Sequence, residues 1–306
     1  LAALEALGAQ VDWPPDGRSL PFAVLGRGAL AGGRVVLDAT ASSQFLSALL
    51  LAAPRMAGGL RVRLDPAALP SRPHVDLTIR ALTEFGATAR QTGRFAWEVE
   101  PGGLTGRDLA VEPDLSNAAP FLAAALVAGG RVAVPGWPAA TDQPGDRLRE
   151  YLAAFGAAVE WRPGPKAGGP GELAATAPGG RIAGVELDLS AAGELAPTLA
   201  GLATLAATPS RLGGIGHLKG HETDRLAALT REINRLGGDA RERAGGLEIR
   251  PGPLAGGLVR TYGDHRMATF GALIGLAVPG VAVEDIGATA KTLPGFAQLW
   301  QSLVRP

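Results

Sequence analysis

Residues 152–159, LAAFGAAV, read as the last turn of a helix, a glycine that redirects the chain and the first residues of a strand. Glycine enters the left-handed backbone region without a Cβ penalty, so Gly156 is placed as a helix terminator. The same phrase occurs three more times: LEALGAQV at 4–11, LTEFGATA at 82–89 and INRLGGDA at 233–240. The turn glycines Gly8, Gly86, Gly156 and Gly237 stand 70 to 81 residues apart. Self-similarity at a fixed period marks one supersecondary unit used repeatedly.

Working outward, a second kind of helix lies between these phrases. It opens on polar residues and continues as an Ala/Leu run, at 42–53, 116–127, 194–206 and 264–277. Each run leads into a short β-prone stretch, at 61–64, 131–134, 211–215 and 281–286. The unit therefore reads strand, helix, strand, helix, strand, strand, a βαβαββ arrangement over roughly 70–80 residues. Helices that are apolar nearly all round belong inside a layered α/β core, and alternating helix types favour two compact domains over a solenoid. The expected domains are residues 1–110 and 111–306, with the junction near 107–113. Residues 163–180, PGPKAGGPGELAATAPGG, are expected to form a surface loop without chemistry.

Composition narrows the function classes. A chain of 306 residues suits two domains, and its hydrophobic content of 46% with 19% charged residues describes a globular protein. Zero net charge argues against nucleic acid or an anionic membrane surface as a partner. The absence of cysteine removes disulfides, thiolate metal sites and a cysteine nucleophile. No apolar run has the length of a membrane span, and no secretory signal pattern opens the chain. Three lysines (Lys166, Lys219, Lys291) stand against 26 arginines, so a lysine in this background is less readily taken as surface decoration.

The chemistry-bearing residues gather where the buried helices begin. A helix N-terminus presents unpaired N–H groups and a partial positive charge, both suited to anions. Ser42-Ser43-Gln44 offers hydroxyls and an amide at one such start, and also reads as an ordinary helix cap. Asp264-His265-Arg266 opens another; a cap explains Asp264 but not why His265 and Arg266 precede an apolar run. His221-Glu222-Thr223-Asp224-Arg225 precedes a third helix, with Thr223 or His221 as its expected cap and Glu222 spaced to pair with Arg225. Lys291, between a strand and a helix and with no acid within four residues, reads as a phosphate or carboxylate binder. His74 reads as structural or peripheral. No metal-ligand spacing, P-loop or G-x-G-x-x-G fingerprint appears. These residues imply a repeat protein suited to a multiply anionic small molecule, and leave the reaction open.

The combination SSQFL at 42–46, HETDR at 221–225, DHRM at 264–267 and TAKTLP at 289–294 resembles the EPSP synthase family in order and spacing. With Glu194-Leu195-Ala196-Pro197 upstream, the wording is similar to actinobacterial members. The resemblance implies the two-domain enolpyruvyl transferase fold, an inside-out α/β barrel of six βαβαββ units. It also implies that N-terminal units of that fold are missing here, along with further substrate ligands. The first domain would face shikimate 3-phosphate and the second would clamp phosphoenolpyruvate.

Carried over by position, Ser42, Ser43, Gln44 and Ser71 resemble shikimate 3-phosphate ligands, with His74 where many relatives have Tyr. Glu194 stands where many carry an Asp that binds the shikimate hydroxyls and acts as base. His221 takes a position often held by lysine, with Lys219 two residues earlier. Glu222 resembles the proton-transfer glutamate. Gln44, Arg225, His265, Arg266 and Lys291 resemble phosphoenolpyruvate ligands. The implied activity is enolpyruvyl transfer by addition and elimination, in a cytoplasmic enzyme that is a monomer when complete, without metal or organic cofactor. Two other readings of the same residues are a UDP-N-acetylglucosamine enolpyruvyl transferase and a non-catalytic piece of the shikimate enzyme.

Overall fold

In the computed structural model, which describes residues 1–304, the chain falls into two units, Leu1–Ala110 and a second from Val111 onward. In the first, helix α1 (Ala2–Ala6) turns at Gly8 into β1 (Gln10–Asp12), which pairs antiparallel with β2 (Ala23–Leu25). One whole βαβαββ unit follows: β3 (Gly33–Leu37), α2 (Gln44–Ala52), β4 (Leu60–Leu64), α3 (Arg72–Glu84), β5 (Ala89–Gly93) and β6 (Ala96–Val99). Its sheet has the order β3-β4-β6-β5, with β3 parallel to β4 and the other pairs antiparallel. Alternation along β4 sends Leu60, Val62 and Leu64 inward and Arg61 and Arg63 outward, the period-two pattern of a half-buried strand.

The second unit opens with α4 (Ala119–Ala128), β7 (Arg131–Trp137), α5 (Leu148–Ala154), β8 (Ala158–Arg162) and β9 (Gly171–Thr176). It continues as a whole unit: β10 (Glu186–Asp188), α6 (Ala196–Thr204), β11 (Ser210–Gly213), α7 (Arg225–Arg235), β12 (Asp239–Arg243) and β13 (Gly246–Arg250). It ends with β14 (Leu258–Val259), α8 (His265–Gly275), β15 (Ala282–Val283) and α9 (Phe296–Val304). The sheet β10-β11-β13-β12 repeats the order and the directions of β3-β4-β6-β5. The sheet β7-β9-β8 has the last three members of that pattern, and β14-β15 its parallel first pair.

The four repeated glycines have φ of +100° (Gly8), +87° (Gly86), +104° (Gly156) and +89° (Gly237), the left-handed region expected at a C′ position. A further repeat stands just ahead of the buried helices. Asp38, Asp114 and Asp188 each accept a hydrogen bond from the backbone N–H two residues on, at 2.9, 3.0 and 2.8 Å, closing an Asx turn.

The core of the second unit is built on α4, α6 and α8. Every residue of α6 is buried, and Gly201 lies at the point where a Cβ would meet Leu273 of α8 at 3.0 Å. Ala and Leu favour the helix, while Pro120 and Pro197 occupy first-turn positions where a missing N–H costs nothing. Each buried Leu or Phe contributes about 1.5–3 kcal/mol by leaving water. Replacing Leu199 or Phe270, both fully buried, with Ala would cost about 2–5 kcal/mol.

The stretch 163–180 corrects the loop expectation. Its middle, Gly171–Thr176, is the central strand of the β7-β9-β8 sheet, with Leu173, Ala174 and Ala175 buried. Gly and Pro on both flanks masked a short apolar strand, which shows no alternation because both its faces are covered.

Candidate active site

Three chain starts converge in the second unit. Helix α7 begins at Arg225 and is capped by Asp224, whose carboxylate accepts from the N–H of Ala227 at 3.1 Å. The cap is therefore neither Thr223 nor His221, and Glu222 lies before the helix. Helix α8 begins at His265 and is capped by Asp264, which accepts from the N–H of Arg266 at 2.8 Å. Lys291 ends a 3-10 turn, Ile286–Lys291, that Asp285 caps at its start.

Arg225 organises the cluster and is 2% exposed. Its Nε donates to Asp264 Oδ2 at 2.7 Å and its Nη2 to Asp264 Oδ1 at 3.3 Å. The same Nη2 donates to Glu222 Oε2 at 2.8 Å, and Nη1 stands 3.4 Å from His221 Nδ1. Lys291 Nζ donates to the other oxygen of Glu222. Arg266 is buried and donates from Nη1 to the carbonyl oxygen of Ser116 at 3.2 Å. Asp264, His265 and Arg266 are thus all buried, each turned toward different neighbours.

The electrostatics follow from burial and from these pairs. Burial raises the Glu222 carboxyl, but the Lys291 hydrogen bond, its own backbone N–H and the charges of Arg225 and Lys291 outweigh that and bring it down to about 2. Burial first, then the Arg266 charge, lowers His265 to about 4, so its imidazole is neutral at pH 7. His265 Nδ1 has no hydrogen-bond partner and lies 3.6 Å from Asp264 Oδ1. Burial and then Arg225 lower His221 as well. Burial followed by Arg225 lowers Arg266. Three cations are therefore gathered here: Arg225 and Arg266, both buried, and Lys291, which is exposed; Asp264 and Glu222 pair with them, and the charges of Glu194 and Asp114 also act on Arg266. That arrangement suits an anion carrying both carboxylate and phosphate.

Lys219 lies elsewhere. It pairs with Glu242 on β12, whose hydrogen bond raises its pKa, and it is not among the partners of Arg225. His221 is the residue of the two that joins the cluster. Glu194 sits half-buried in the 3-10 turn Gly193–Leu195 ahead of α6, and its charge acts on both His221 and Arg266.

Two groups at this site escaped the sequence reading. His217 has its ring 5.8 Å from that of His221, and its Nε2 approaches Gly193 so closely that a Cβ there would come within 2.8 Å. Its spacing of four from His221, in a chain with four histidines, was the available signal. The turn Leu115–Ala118 supplies the Ser116 carbonyl to Arg266, and Asn117 Nδ2 donates to the carbonyl of Thr292 at 3.1 Å, beside Lys291.

The first unit holds the remaining candidates. Ser42 Oγ accepts from the N–H of Gln44 at 3.1 Å, Ser43 is buried, and Gln44 opens α2 exposed. Ser71 is buried at the entry of α3 with φ +48°, a conformation few side chains adopt. His74 is in the first turn of α3, and its carbonyl accepts from the Thr78 hydroxyl at 2.8 Å. Among the described residues no His/Cys/Asp/Glu group could hold a metal ion, and no helix is long and apolar enough to cross a membrane.

Comparison with known proteins bears on the family and the fold. The family model for EPSP synthase (3-phosphoshikimate 1-carboxyvinyltransferase) matches residues 1–300. A 3-phosphoshikimate 1-carboxyvinyltransferase from the actinobacterium Kocuria rhizophila is 53% identical over 99% of the chain, which spans 66% of that relative's length. The fold matches an EPSP synthase from Acinetobacter baumannii with a TM-score of 0.77 at 24% identity, over 99% of this chain and 69% of that one. It also matches the enolpyruvyl transferase NikO from Streptomyces tendae with a TM-score of 0.71 at 18% identity, over 99% and 70% of the two chains. With the repeated βαβαββ units and with SSQF, HETDR and DHRM in order, the chain belongs to the EPSP synthase family.

Proposed function

We propose that this chain supplies the phosphoenolpyruvate-binding and proton-transfer groups of a 3-phosphoshikimate 1-carboxyvinyltransferase. That enzyme joins the enolpyruvyl group of phosphoenolpyruvate to the 5-hydroxyl of shikimate 3-phosphate and releases phosphate. The observation that carries the reading is the gathering of three cations at the chain starts, Arg225 and Arg266 buried and Lys291 exposed, with Glu222 held between Arg225 and Lys291. The identity of 53% to an enzyme of that name supports it.

In this reading the ligand's carboxylate and phosphate enter the pairs that Glu222 holds with Lys291 and Arg225. Glu222, released from its two cations, regains a pKa at which it can carry a proton. The 5-hydroxyl oxygen attacks C2 of phosphoenolpyruvate and gives its proton to Glu194, while Glu222 protonates C3. In the second half Glu222 takes a proton back from C3, the C2–O bond to phosphate breaks, and the departing phosphate takes the proton held on Glu194. Arg225, Arg266 and Lys291 stabilise the charge that develops on the departing phosphate. His221, beside Arg225 and under the charge of Glu194, stands where it can relay a proton. Ser42, Ser43, Gln44 and Ser71 hold shikimate 3-phosphate, with His74 at its edge. The complete enzyme acts on two small anions, without nucleic acid or membrane, as a cytoplasmic monomer.

The test is phosphate release from the two substrates by this chain, with and without the part of the Kocuria sequence that lies outside the match. Release in either preparation that disappears in Arg266→Ala supports the reading. A mixture that binds the added part yet releases no phosphate would overturn it.

A further inference from the structure

Glu232 is fully buried in α7, seven residues and so two helical turns beyond Arg225, on the same helix face. Its carboxylate reaches across to the turn that leads into α8. Oε1 accepts from the Tyr262 hydroxyl at 2.6 Å, and Oε2 accepts from the N–H of Arg260 at 3.0 Å. On its own helix it accepts from Arg235, from Nε at 3.0 Å and from Nη2 at 3.4 Å.

The turn it grips is not a relaxed one. Tyr262 has φ +53°, one of two non-glycine residues with positive φ in the described chain. A bulky side chain there is held only by surroundings that over-determine it. The other contacts of the turn are the N–H of Thr261 to Glu284 at 3.1 Å and the N–H of Asp264 to the carbonyl of Thr261 at 2.8 Å. Arg231 Nη1 also donates to the Tyr262 hydroxyl at 3.3 Å.

We propose that Glu232, acting through Tyr262, is a positioning residue that sets where Asp264, His265 and Arg266 stand relative to Arg225. Helix α7 then meets the start of α8 at two rungs. Arg225–Asp264 is the charged rung at the ligand, and Glu232–Tyr262/Arg260 is the buried rung behind it. The rungs are spaced by about 10 Å along the helix axis. Arg266 to the Ser116 carbonyl and Thr261 to Glu284 tie the start of α8 to other elements; the two rungs on one helix face fix it relative to α7. The proposal takes its geometry from these contacts and rests on the functional reading above only for the identity of the ligand.

Two conservative variants test it: Tyr262→Phe deletes one hydroxyl, and Glu232→Gln keeps the shape while removing the charge. In the 306-residue chain both should retain the wild-type circular dichroism spectrum. The Arg225 Nε–Hε resonance and the His265 ring resonance should move, while that of His74 in the other unit stays. In the mixture used for phosphate release, the KM for phosphoenolpyruvate should rise roughly three- to tenfold with kcat changed less. Folded variants with unmoved Arg225 and His265 resonances and an unchanged KM would overturn the proposal. Moved resonances in a protein whose wild type shows no turnover would leave the positioning role standing and count against the functional reading alone.

Discussion

Arg225 donates from Nε to Asp264 at 2.7 Å with the two side chains 2% and 0% exposed, so a helix cap and an ion pair share one carboxylate. Removing that carboxylate leaves a buried guanidinium without its main counter-charge and a helix start without its cap. Asp264→Ala is therefore expected to destabilise the protein by about 3–5 kcal/mol. Urea unfolding followed by circular dichroism measures this, and a loss under about 1 kcal/mol would show that water reaches Arg225.

Lys291 meets Glu222 in the structure, and the functional reading gives it to phosphoenolpyruvate. Lys291→Ala is expected to raise the KM for phosphoenolpyruvate far more than that for shikimate 3-phosphate. Steady-state phosphate release with each substrate varied in turn distinguishes the two. Equal effects would remove the assigned role.

Acid should weaken the protein in two successive windows. His265, ordinarily near 6.5, is held at about 4, so the unfolded chain binds its proton first and stability falls as pH drops from 6.5 to 4. Glu222, ordinarily near 4.5, is held at about 2, so its contribution is intact above pH 4.5 and is lost as pH falls from there toward 2. The His265 part amounts to about 3 kcal/mol. Urea midpoints taken from pH 7 to 4 should decline in the wild type and decline less in His265→Asn. Parallel slopes would refute the assignment.

The four C′ glycines are not equivalent. At Gly156 a Cβ would meet nothing within 4 Å, so Gly156→Ala should cost only the left-handed backbone term, about 1–2 kcal/mol. At Gly237 a Cβ would come 2.7 Å from the Pro253 carbonyl oxygen, and Gly237→Ala should cost distinctly more. Thermal midpoints of the two variants give the order directly, and the reverse order would contradict the packing around Gly237.

Much of the architecture was legible in the sequence because it is local. LAAFGAAV and its three counterparts encode a helix end, a left-handed glycine and a strand start within eight residues, and all four glycines adopt that conformation. The Ala/Leu runs report burial because an all-round apolar helix has no face to offer water. Where local cues mislead, the reason is equally physical. Strand β9 is flanked by the same Gly and Pro that mark loops, and its burial on both faces erased the alternation that would have exposed it. Asp224 rather than Thr223 caps α7 because the helix begins only at Arg225, which leaves Asp224 at the position whose carboxylate reaches the N–H of Ala227.

The sequence by itself determined the period of the repeat, the α/β class and the four motifs that place the chain in its family, since each is written in neighbouring residues. The three-residue spacing of Glu222 and Arg225 also made that pair legible, but only the tertiary structure decided which distant charges meet. Arg225 finds Asp264 at a separation of 39 residues and Lys291 finds Glu222 at 69. Which of Lys219 and His221 faces the site was likewise decided by Glu242 on the neighbouring hairpin. An ion pair between residues far apart in the chain has no period and no propensity; its partner is whatever the sheet order and helix packing bring within about 4 Å, and that is a property of the whole fold.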